Sequence, residues 1–284
     1  KIMKILNYKE TPYKFNIKRI KSGQLLENDC SGIILSKKNF KDSDVKFFIG
    51  EGIKKKIDIY FLDEWLENNL NRIPNEYINF EKFLKKYNLI KQNTIQARIK
   101  RFGDVILSIS LLSITFPVLL LSGLFIWMTD KGSIIYKQLR VGKNGKEFYI
   151  YKLRTMVINA EKNGPEWVSI KDKRITLIGK FLRKTRIDEI PQLICVLNGD
   201  MSLIGPRPER PEIESKLKQA ITNYELRHLV KPGLSGWAQV NANYAASIEG
   251  VKLKLSYDLY YIANQSIFID FLILIKTMKV VFTA

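Results

Sequence analysis

The residues best suited to chemistry lie in the segment RKTRIDEIPQLICVLNGDMSLIGPRP, residues 183–208. Its acidic pair, Asp188 and Glu189, stands directly before an apolar run at 190–197. This pattern predicts a helix with Asp188 as its N-cap and Gly199 as its stop signal. The pair would then lie at the end of a helix that attracts anions. Taken alone, an Asp-Glu pair is more often a cap and a first-turn acid, so the neighbours must decide.

Those neighbours are arginines in positions suited to phosphate. Arg183 and Arg186 precede the acidic pair, and Arg207 follows it in the sequence GPRP. Because the flanking prolines restrict the backbone, the Arg207 guanidinium would lose little entropy on meeting a phosphate. Three further loops place Lys, Arg or Gly between apolar runs: YKLRTM at 151–156, DKRIT at 172–176 and KPGLSGWAQVN at 231–241.

The charge of the chain also calls for an anionic partner. Lys and Arg number 47 against 28 Asp and Glu, a net charge of +19 over 284 residues. Nucleic acid, a membrane surface and a phosphorylated substrate are the three candidates. A single histidine, His228, excludes a His-rich metal site and disfavours a Ser-His-Asp triad. Cys30 and Cys195 are far apart in the chain and form no disulfide framework, which favours a reducing cytoplasmic setting.

The elements that position these groups begin with an uncharged segment at 105–128. As a helix it would be about 36 Å long, enough for a hydrocarbon core of roughly 30 Å. Pro117 lies at its middle and both flanks are basic, so charge assigns no orientation. We therefore predict a helix that enters the membrane, breaks near Phe116 and Pro117, and returns to the same face. The tail at 266–282 is a second apolar stretch whose charges favour a helix in the interface or against the first one.

Three parts follow along the chain. Residues 1–90 alternate β-rich runs at 32–35, 45–49 and 56–61 with polar stretches, before a helix at 63–70. They are predicted to be a partial α/β extension without a catalytic role. Residues 91–130 form the basic linker and membrane helix, and residues 131–284 the catalytic domain.

Taken together and in order, the motifs resemble the bacterial sugar transferases, the monotopic polyprenyl-phosphate phosphoglycosyl transferases. The resemblance covers about two-thirds of the chain, from Arg98 to the C-terminus. It is carried by the membrane helix with its central proline and by six motifs: K-x-R-T-M, D-x-R-I-T, F-L-R-K-T-x-x-D-E-x-P-Q-L, N-G-D-M-S-L-I-G-P-R-P-E, P-G-L-S-G-W-A-Q-V and Y-D-L-Y-Y-I-x-N-x-S. A weaker likeness at 71–77, NRIPNEY, links the N-terminal third to the α/β extension of longer members.

The fold that the resemblance implies is α+β. It comprises a re-entrant membrane helix, a compact and mostly helical catalytic domain with interfacial amphipathic helices, and an N-terminal partial α/β extension, a Rossmann-like remnant. The tyrosines at 257, 260 and 261 lead into the apolar tail and are expected to form an interfacial aromatic belt.

The resemblance also implies an activity. Asp188 would be the covalent nucleophile that takes a sugar-1-phosphate from a UDP-sugar, releasing UMP, before passing it to polyprenyl (undecaprenyl) phosphate. Glu189, with Asp188, would bind Mg²⁺ or Mn²⁺. Family positions assign Arg183 to the lipid phosphate and Arg207 to the nucleotide-sugar phosphates. Lys152, Arg154 and Arg174 are further candidate anion ligands.

The cellular setting follows from the same resemblance. The enzyme would lie in the bacterial inner membrane with its catalytic domain facing the cytoplasm, and would start exopolysaccharide, O-antigen, capsule or other glycan assembly. Membrane lipids, a homodimer and downstream glycosyltransferases are the expected partners, and nucleic acid is not. The alternatives are an inactive membrane scaffold of the same fold and a basic membrane-associated nucleic-acid binder.

Two departures from the family pattern stand out. Phe116-Pro117 replaces the Ser-Pro often found at the break, so Ser113 or Thr115 would have to supply a hydroxyl there. Asn-Ala-Asn-Tyr at 241–244 replaces the Asn-Gly-Arg of many members, which removes an arginine and indicates a different sugar preference.

Overall fold

The structure is a computed structural model that describes residues 30–35, 42–160, 172–242 and 247–283. The chain divides into two compact units, residues 1–79 and 80–284. The sequence placed the end of the N-terminal part at residue 90. The membrane helix and all the predicted site residues belong to the second unit.

The N-terminal unit contains one βαβ arrangement. Strands β1 (Gly32–Leu35) and β2 (Asp58–Phe61) pair in parallel, with helix α1 (Asp42–Lys54) between them and α2 (Leu62–Leu70) after them. The predicted strands at 32–35 and within 56–61 and the helix at 63–70 are confirmed. The predicted strand at 45–49 is wrong, because this segment lies in α1. Parallel strands need a crossover connection, and the helix buries Phe48 against Ile33 and Leu35.

The second unit opens with helix α3 (Phe80–Gln92) and the long helix α4 (Thr94–Asp130). The Asn93 side chain caps α4 by accepting the amide hydrogen of Gln96 at 3.0 Å, and Lys131 ends it in a left-handed conformation. Within the described residues α4 alone is long and apolar enough to cross a membrane. The helix continues through Pro117 without interruption. The Thr115 hydroxyl donates to the Leu111 carbonyl at 2.7 Å, so it is used within the helix.

The elements that follow α4 surround the candidate site. A hairpin comes first, and short helices with a small parallel sheet come after it. In chain order they are β3 (Ile135–Val141), β4 (Glu147–Leu153), α5 (Leu177–Lys184), a 3-10 helix (Ile187–Gln192), α6 (Leu193–Asn198), β5 (Ser202–Ile204), α7 (Pro211–Ala220), a 3-10 helix (Tyr224–Leu229), β6 (Gly233–Ser235), α8 (Trp237–Asn241), α9 (Ile248–Asn264) and α10 (Ile267–Thr283).

The helix predicted after the acidic pair forms differently from the prediction. Asp188 lies inside the 3-10 helix Ile187–Gln192, and its N-cap is Arg186 with a φ of 60°. The prediction that Asp188 is the N-cap is therefore wrong. Pro191 has no backbone N–H, so the α-helical hydrogen-bond pattern starts only in α6. The predicted stop is confirmed, since Gly199 ends α6 at a φ of 88°.

Strand β5 leads directly into the GPRP loop, which crosses β6 at very close range. A Cβ on Gly233 would lie 2.0 Å from the Gly205 amide nitrogen, and one on Gly236 would lie 2.2 Å from the Gly205 carbonyl oxygen. Only glycine leaves room for such an approach. The GPRP loop is therefore set by the pairing of β5 with β6.

Two tyrosines of helix α9 do not form the expected interfacial aromatic belt. Tyr257 and Tyr261 are buried within α9, so the belt prediction is wrong for both. The Tyr261 hydroxyl donates to Asp270 at 2.7 Å, where Lys100 of α4 also forms an ion pair at 2.7 Å. Helix α10 thus forms over the predicted apolar tail and is tied to the base of α4.

Candidate active site

Asp188 is a buried carboxylate with little hydrogen bonding. It is 7% exposed, and its Oδ1 atom has no hydrogen-bond partner within the described residues. Burial and the charge of Glu189 raise the pKa of Asp188 to about 6, against the opposing charges of Lys152, Arg183 and Arg186. No described donor therefore uses the lone pairs of Oδ1, and the group remains largely ionised at neutral pH.

Glu189, the next residue, is paired with two cations, in contrast to Asp188. Its Oε1 atom accepts from Lys152 Nζ at 2.7 Å and from Arg207 Nη2 at 2.6 Å. Burial opposes its ionisation, but the charges of Arg207 and Lys152 hold the pKa of Glu189 well below its usual range. Two adjacent acids therefore have separate states: Glu189 is fixed and paired, and Asp188 is unpaired.

Lys152 reaches the pair from the hairpin. It lies near the end of β4, opposite Tyr136 of β3. Its ammonium group is largely buried, and the ion pair with Glu189 compensates for that burial. The arrangement holds a cation close to Asp188 before any substrate binds.

Arg183 borders the same site on the side of α5. Thr176 caps this helix by accepting from the Gly179 amide at 2.9 Å, and Arg183 in its last turn donates from Nε to Thr155 Oγ1 at 2.8 Å. Asp188 and Arg183 act on each other electrostatically. The outer face of the helix carries Leu177 and Phe181, which are 86% and 59% exposed. One short helix thus combines a cation at the site with an apolar outer surface.

Two predicted anion ligands, Arg154 and Arg174, form their ion pairs with acids other than Glu189. Arg154 pairs with Asp130 at the end of α4. Arg174 pairs with Asp172 at 2.7 Å and lies near Arg183. The structure therefore groups Asp188, Glu189, Lys152, Arg183 and Arg207, and leaves Arg154 and Arg174 at its edge.

Two arginines of the site were not predicted. Arg140 of β3 donates to the Pro208 carbonyl at 2.9 Å, and Arg227 donates to the Arg207 carbonyl at 2.8 Å. Both hold the backbone of the GPRP loop. The only sequence signal for Arg227 was its place shortly before the Lys-Pro-Gly loop, and Arg140 had none.

A model of the bacterial sugar transferases matches residues 95–284, which include every residue of this site. The chain belongs to that family. The match starts within α4, so the N-terminal unit lies outside it.

Individual bacterial sugar transferases similar to this chain differ in their sugars. A UDP-N-acetylgalactosamine-undecaprenyl-phosphate N-acetylgalactosaminephosphotransferase of Aeromonas hydrophila is 37% identical over 227 residues, 80% of this chain and 53% of the relative. An undecaprenyl-phosphate galactose phosphotransferase of Salmonella typhimurium is 36% identical over 67% of this chain and 42% of its own length. A UDP-glucose:undecaprenyl-phosphate glucose-1-phosphate transferase of Caulobacter vibrioides is 36% identical over 65% of this chain and 70% of its own length. The chain spans about half the length of the first of these relatives.

The metal prediction can be compared with the donors at this family site. Among the residues that the structure describes, no group of three His, Cys, Asp or Glu side chains is placed to hold a metal ion. Two carboxylates are present, and Oδ1 of Asp188 has no hydrogen-bond partner among the described residues. Mg²⁺ is commonly held by one or two carboxylates together with water and substrate phosphates. The donors therefore fit an ion that arrives with a diphosphate. The position of the missing family arginine, Asn243, lies outside the described residues.

Proposed function

We propose that this chain transfers a sugar-1-phosphate from a UDP-sugar to polyprenyl phosphate through a covalent bond to Asp188. The observation that carries the proposal is the contrast between the two adjacent acids. Among the described residues, Asp188 has an oxygen atom without a hydrogen-bond partner and lies near three cations, whereas Glu189 is paired with Lys152 and Arg207. An acid that only caps a helix would need neither this burial nor this difference in hydrogen bonding from its neighbour.

The first step forms a bond from an Asp188 carboxylate oxygen to the phosphorus that carries the sugar. The bond from that phosphorus to the bridging oxygen breaks, and UMP leaves with the electron pair. An ionised carboxylate needs no general base for this attack. Arg207 and Lys152 are placed to offset the charge that develops on the phosphates.

The second step returns Asp188 to its starting state. An oxygen of the polyprenyl phosphate attacks the same phosphorus, the acyl phosphate bond breaks, and the polyprenyl diphosphate sugar leaves. Arg183 is the candidate ligand for the lipid phosphate, because it borders Asp188 from a helix whose outer face is apolar. Arg207 is the candidate for the nucleotide sugar.

The proposal includes a divalent cation that binds together with the diphosphate of the substrate. The carboxylates of Asp188 and Glu189 would hold Mg²⁺ or Mn²⁺ there, and the bound ion would offset diphosphate charge. Glu189 can accept the ion only where Arg207 or Lys152 turns to a substrate phosphate, since both now occupy it.

A re-entrant course for α4 is supported by the contacts at its two ends. Near its start, Asp104 accepts from the Leu203 amide and Arg101 donates to the Val196 carbonyl. Near its end, Ile126 packs against Leu153 and Leu182. Both sets of partners belong to one compact unit, whose described residues contain no second helix that could cross a membrane. A spanning helix would place parts of this unit on opposite sides.

The surface between those ends fits lipid. Side chains along the middle of α4 are apolar and exposed, as are Phe268, Phe271 and Met278 on α10. We place the enzyme in the bacterial inner membrane, with both substrates reaching it from the cytoplasmic face. There it would start the assembly of a lipid-linked glycan. Homodimers and downstream glycosyltransferases remain candidate partners.

The covalent step has a direct test. UDP-sugars labelled with ³²P in the phosphate that carries the sugar are incubated with the purified protein without lipid acceptor, and protein-bound label and UMP are measured. UDP-N-acetylgalactosamine, UDP-galactose and UDP-glucose form the first panel. The wild type and a control, Asp200→Asn, should retain label, whereas Asp188→Asn should retain none. Label on Asp188→Asn would refute the mechanism, and an unlabelled wild type that makes no lipid product would favour a scaffold.

A further inference from the structure

The direction of Arg207 depends on the two peptide groups that flank it. Pro206 and Pro208 restrict their own φ angles, and Pro208 keeps Arg207 out of the helical region, but both peptide groups beside Arg207 retain part of their rotational freedom. The orientation of these peptide groups sets the direction of the Cα–Cβ bond of Arg207. A rigid mount for its guanidinium therefore requires that both be held.

The backbone holds the first peptide group, and a side chain holds the second. The Pro206 carbonyl accepts from the Gly233 amide at 2.9 Å, which belongs to the close crossing of β6. The Arg207 carbonyl accepts from Arg227 Nη2 at 2.8 Å. Replacing one side chain can thus release half of the mount while leaving the sheet pairing in place.

Arg227 is itself firmly held. It is 8% exposed, its Nη2 donates to Asp258 Oδ2 at 3.0 Å, and its Nη1 donates to the Tyr224 hydroxyl at 2.5 Å. Asp258 lies on α9 and is also buried. An ion pair that served packing alone would be satisfied by these two bonds. Here the Nη2 group that meets Asp258 also reaches the loop.

We infer that Arg227, held by Asp258, is a positioning residue that fixes the Arg207 side chain at the site. This inference rests on the proposed function, in which Arg207 binds the nucleotide-sugar phosphates. Arg227 touches no reacting atom. It orients the peptide group after Arg207, and Arg207 in turn contacts Glu189 at 2.6 Å.

The chain offers a matched pair of substitutions. Arg227→Lys keeps the positive charge for Asp258, but a single ammonium group cannot reproduce the planar fork. Tyr224→Phe removes the other hydrogen bond of the same guanidinium and leaves the bond from Nη2 to the loop. Asp258→Asn is a milder second variant, because it keeps the size and the acceptor oxygen but weakens the hold on Arg227.

Turnover of the full chain in lipid nanodiscs is measured with the active UDP-sugar and undecaprenyl phosphate. Arg227→Lys should raise the KM for the UDP-sugar and lower kcat/KM by about tenfold or more, the effect of a lost charged hydrogen bond. Tyr224→Phe should stay within about threefold, with Asp258→Asn between them. In an Arg207→Gln background, Arg227→Lys should cause no further loss. A multiplicative loss in the double variant, or equal losses for Tyr224→Phe and Arg227→Lys, would overturn the inference.

Amide hydrogen exchange provides a readout that needs no turnover. Residues 203–210 should exchange faster in Arg227→Lys than in wild type or Tyr224→Phe, because release of the Arg207 carbonyl loosens the amides on either side of the Arg207–Pro208 bond, which itself carries no amide hydrogen. Unchanged exchange in that segment would overturn the inference even where activity falls. If the wild type turns over no UDP-sugar, the proposed function fails, and the exchange comparison still decides whether Arg227 holds the loop.

Discussion

Replacing the proposed nucleophile, Asp188, should make the protein more stable while it removes activity. Asp188 is buried without a hydrogen bond to Oδ1, and its pKa is raised from 3.8 to about 6. A difference of about 2 units at about 1.4 kcal/mol each means that ionised Asp188 destabilises the fold by about 3 kcal/mol. Asn has nearly the same shape and no charge, so Asp188→Asn should recover about that amount at neutral pH.

The sign of the pH dependence follows from the direction of the shift. Because the folded-state pKa is raised, protonated Asp188 favours the folded state, and this contribution is lost as pH rises through about 6. Wild type and Asp188→Asn should thus be equally stable near pH 3, below both pKa values. The gap should open between about pH 4 and 6 and stay constant above that range.

The assay is apparent thermal unfolding of the detergent-solubilised protein in EDTA without substrates. For a unit of this size, about 3 kcal/mol corresponds to an increase of roughly 6–12 °C in Tm. Glu189→Gln is the matched control, since it is an equally conservative change at the next position. It should lower Tm, because it leaves Lys152 and Arg207 without their anion. The loss should be smaller than the roughly 3–5 kcal/mol of a fully buried pair, because the Arg207 side chain is 36% exposed.

One result would refute this reasoning directly. If Asp188→Asn lowers Tm at neutral pH as Glu189→Gln does, Asp188 is a structural acid with stabilising partners. The same conclusion follows if the two proteins differ equally near pH 3 and pH 8. Asp188 would then lack the unpaired, destabilised state on which its role as nucleophile rests.

Further predictions concern substrates, membrane and metal. Arg183→Gln should raise the KM for polyprenyl phosphate by about tenfold with little change for the UDP-sugar, and Arg207→Gln should do the reverse in steady-state assays; equal effects on both substrates would contradict the assignment. Single cysteines replacing Leu89 and Ile135, in a chain without Cys30 and Cys195, should react with a membrane-impermeant maleimide from the same side of sealed vesicles, and labelling from opposite sides would show a true span. Phe181→Asp should release the protein more readily from membranes in a carbonate wash than Lys180→Gln, a control at an exposed lysine that makes the same charge change of −1 away from the apolar face. EDTA should abolish UMP release and Mg²⁺ should restore it, whereas turnover in EDTA would remove the ion from the mechanism.

The sequence predicted the family and the elements with strong local signals. The apolar run at 105–128 and the stop at Gly199 needed only composition and backbone preference, and both appear in the structure. The order of the motifs, each tied to a short loop, pointed to the bacterial sugar transferases, as the family match over 95–284 bears out. Where local signals were weak, the predictions were less accurate. The run at 45–49 is helical because it connects two parallel strands. Tyr257 and Tyr261 lie in the core because other elements of the second unit cover their face of α9.

The sequence could not show that Glu189 is paired with cations while Asp188 is not hydrogen-bonded at Oδ1 within the described residues. Two adjacent acids look alike along a chain, and the left-handed Arg186 that precedes their 3-10 helix had no signal in the sequence. The partners that separate them come from distant segments: Lys152 from the hairpin, Arg207 from the loop after β5. Residue types and motif order therefore determined the chemistry available to this chain. Tertiary structure alone decided which acid is paired, because burial and charge at a carboxylate depend on groups that only folding brings together.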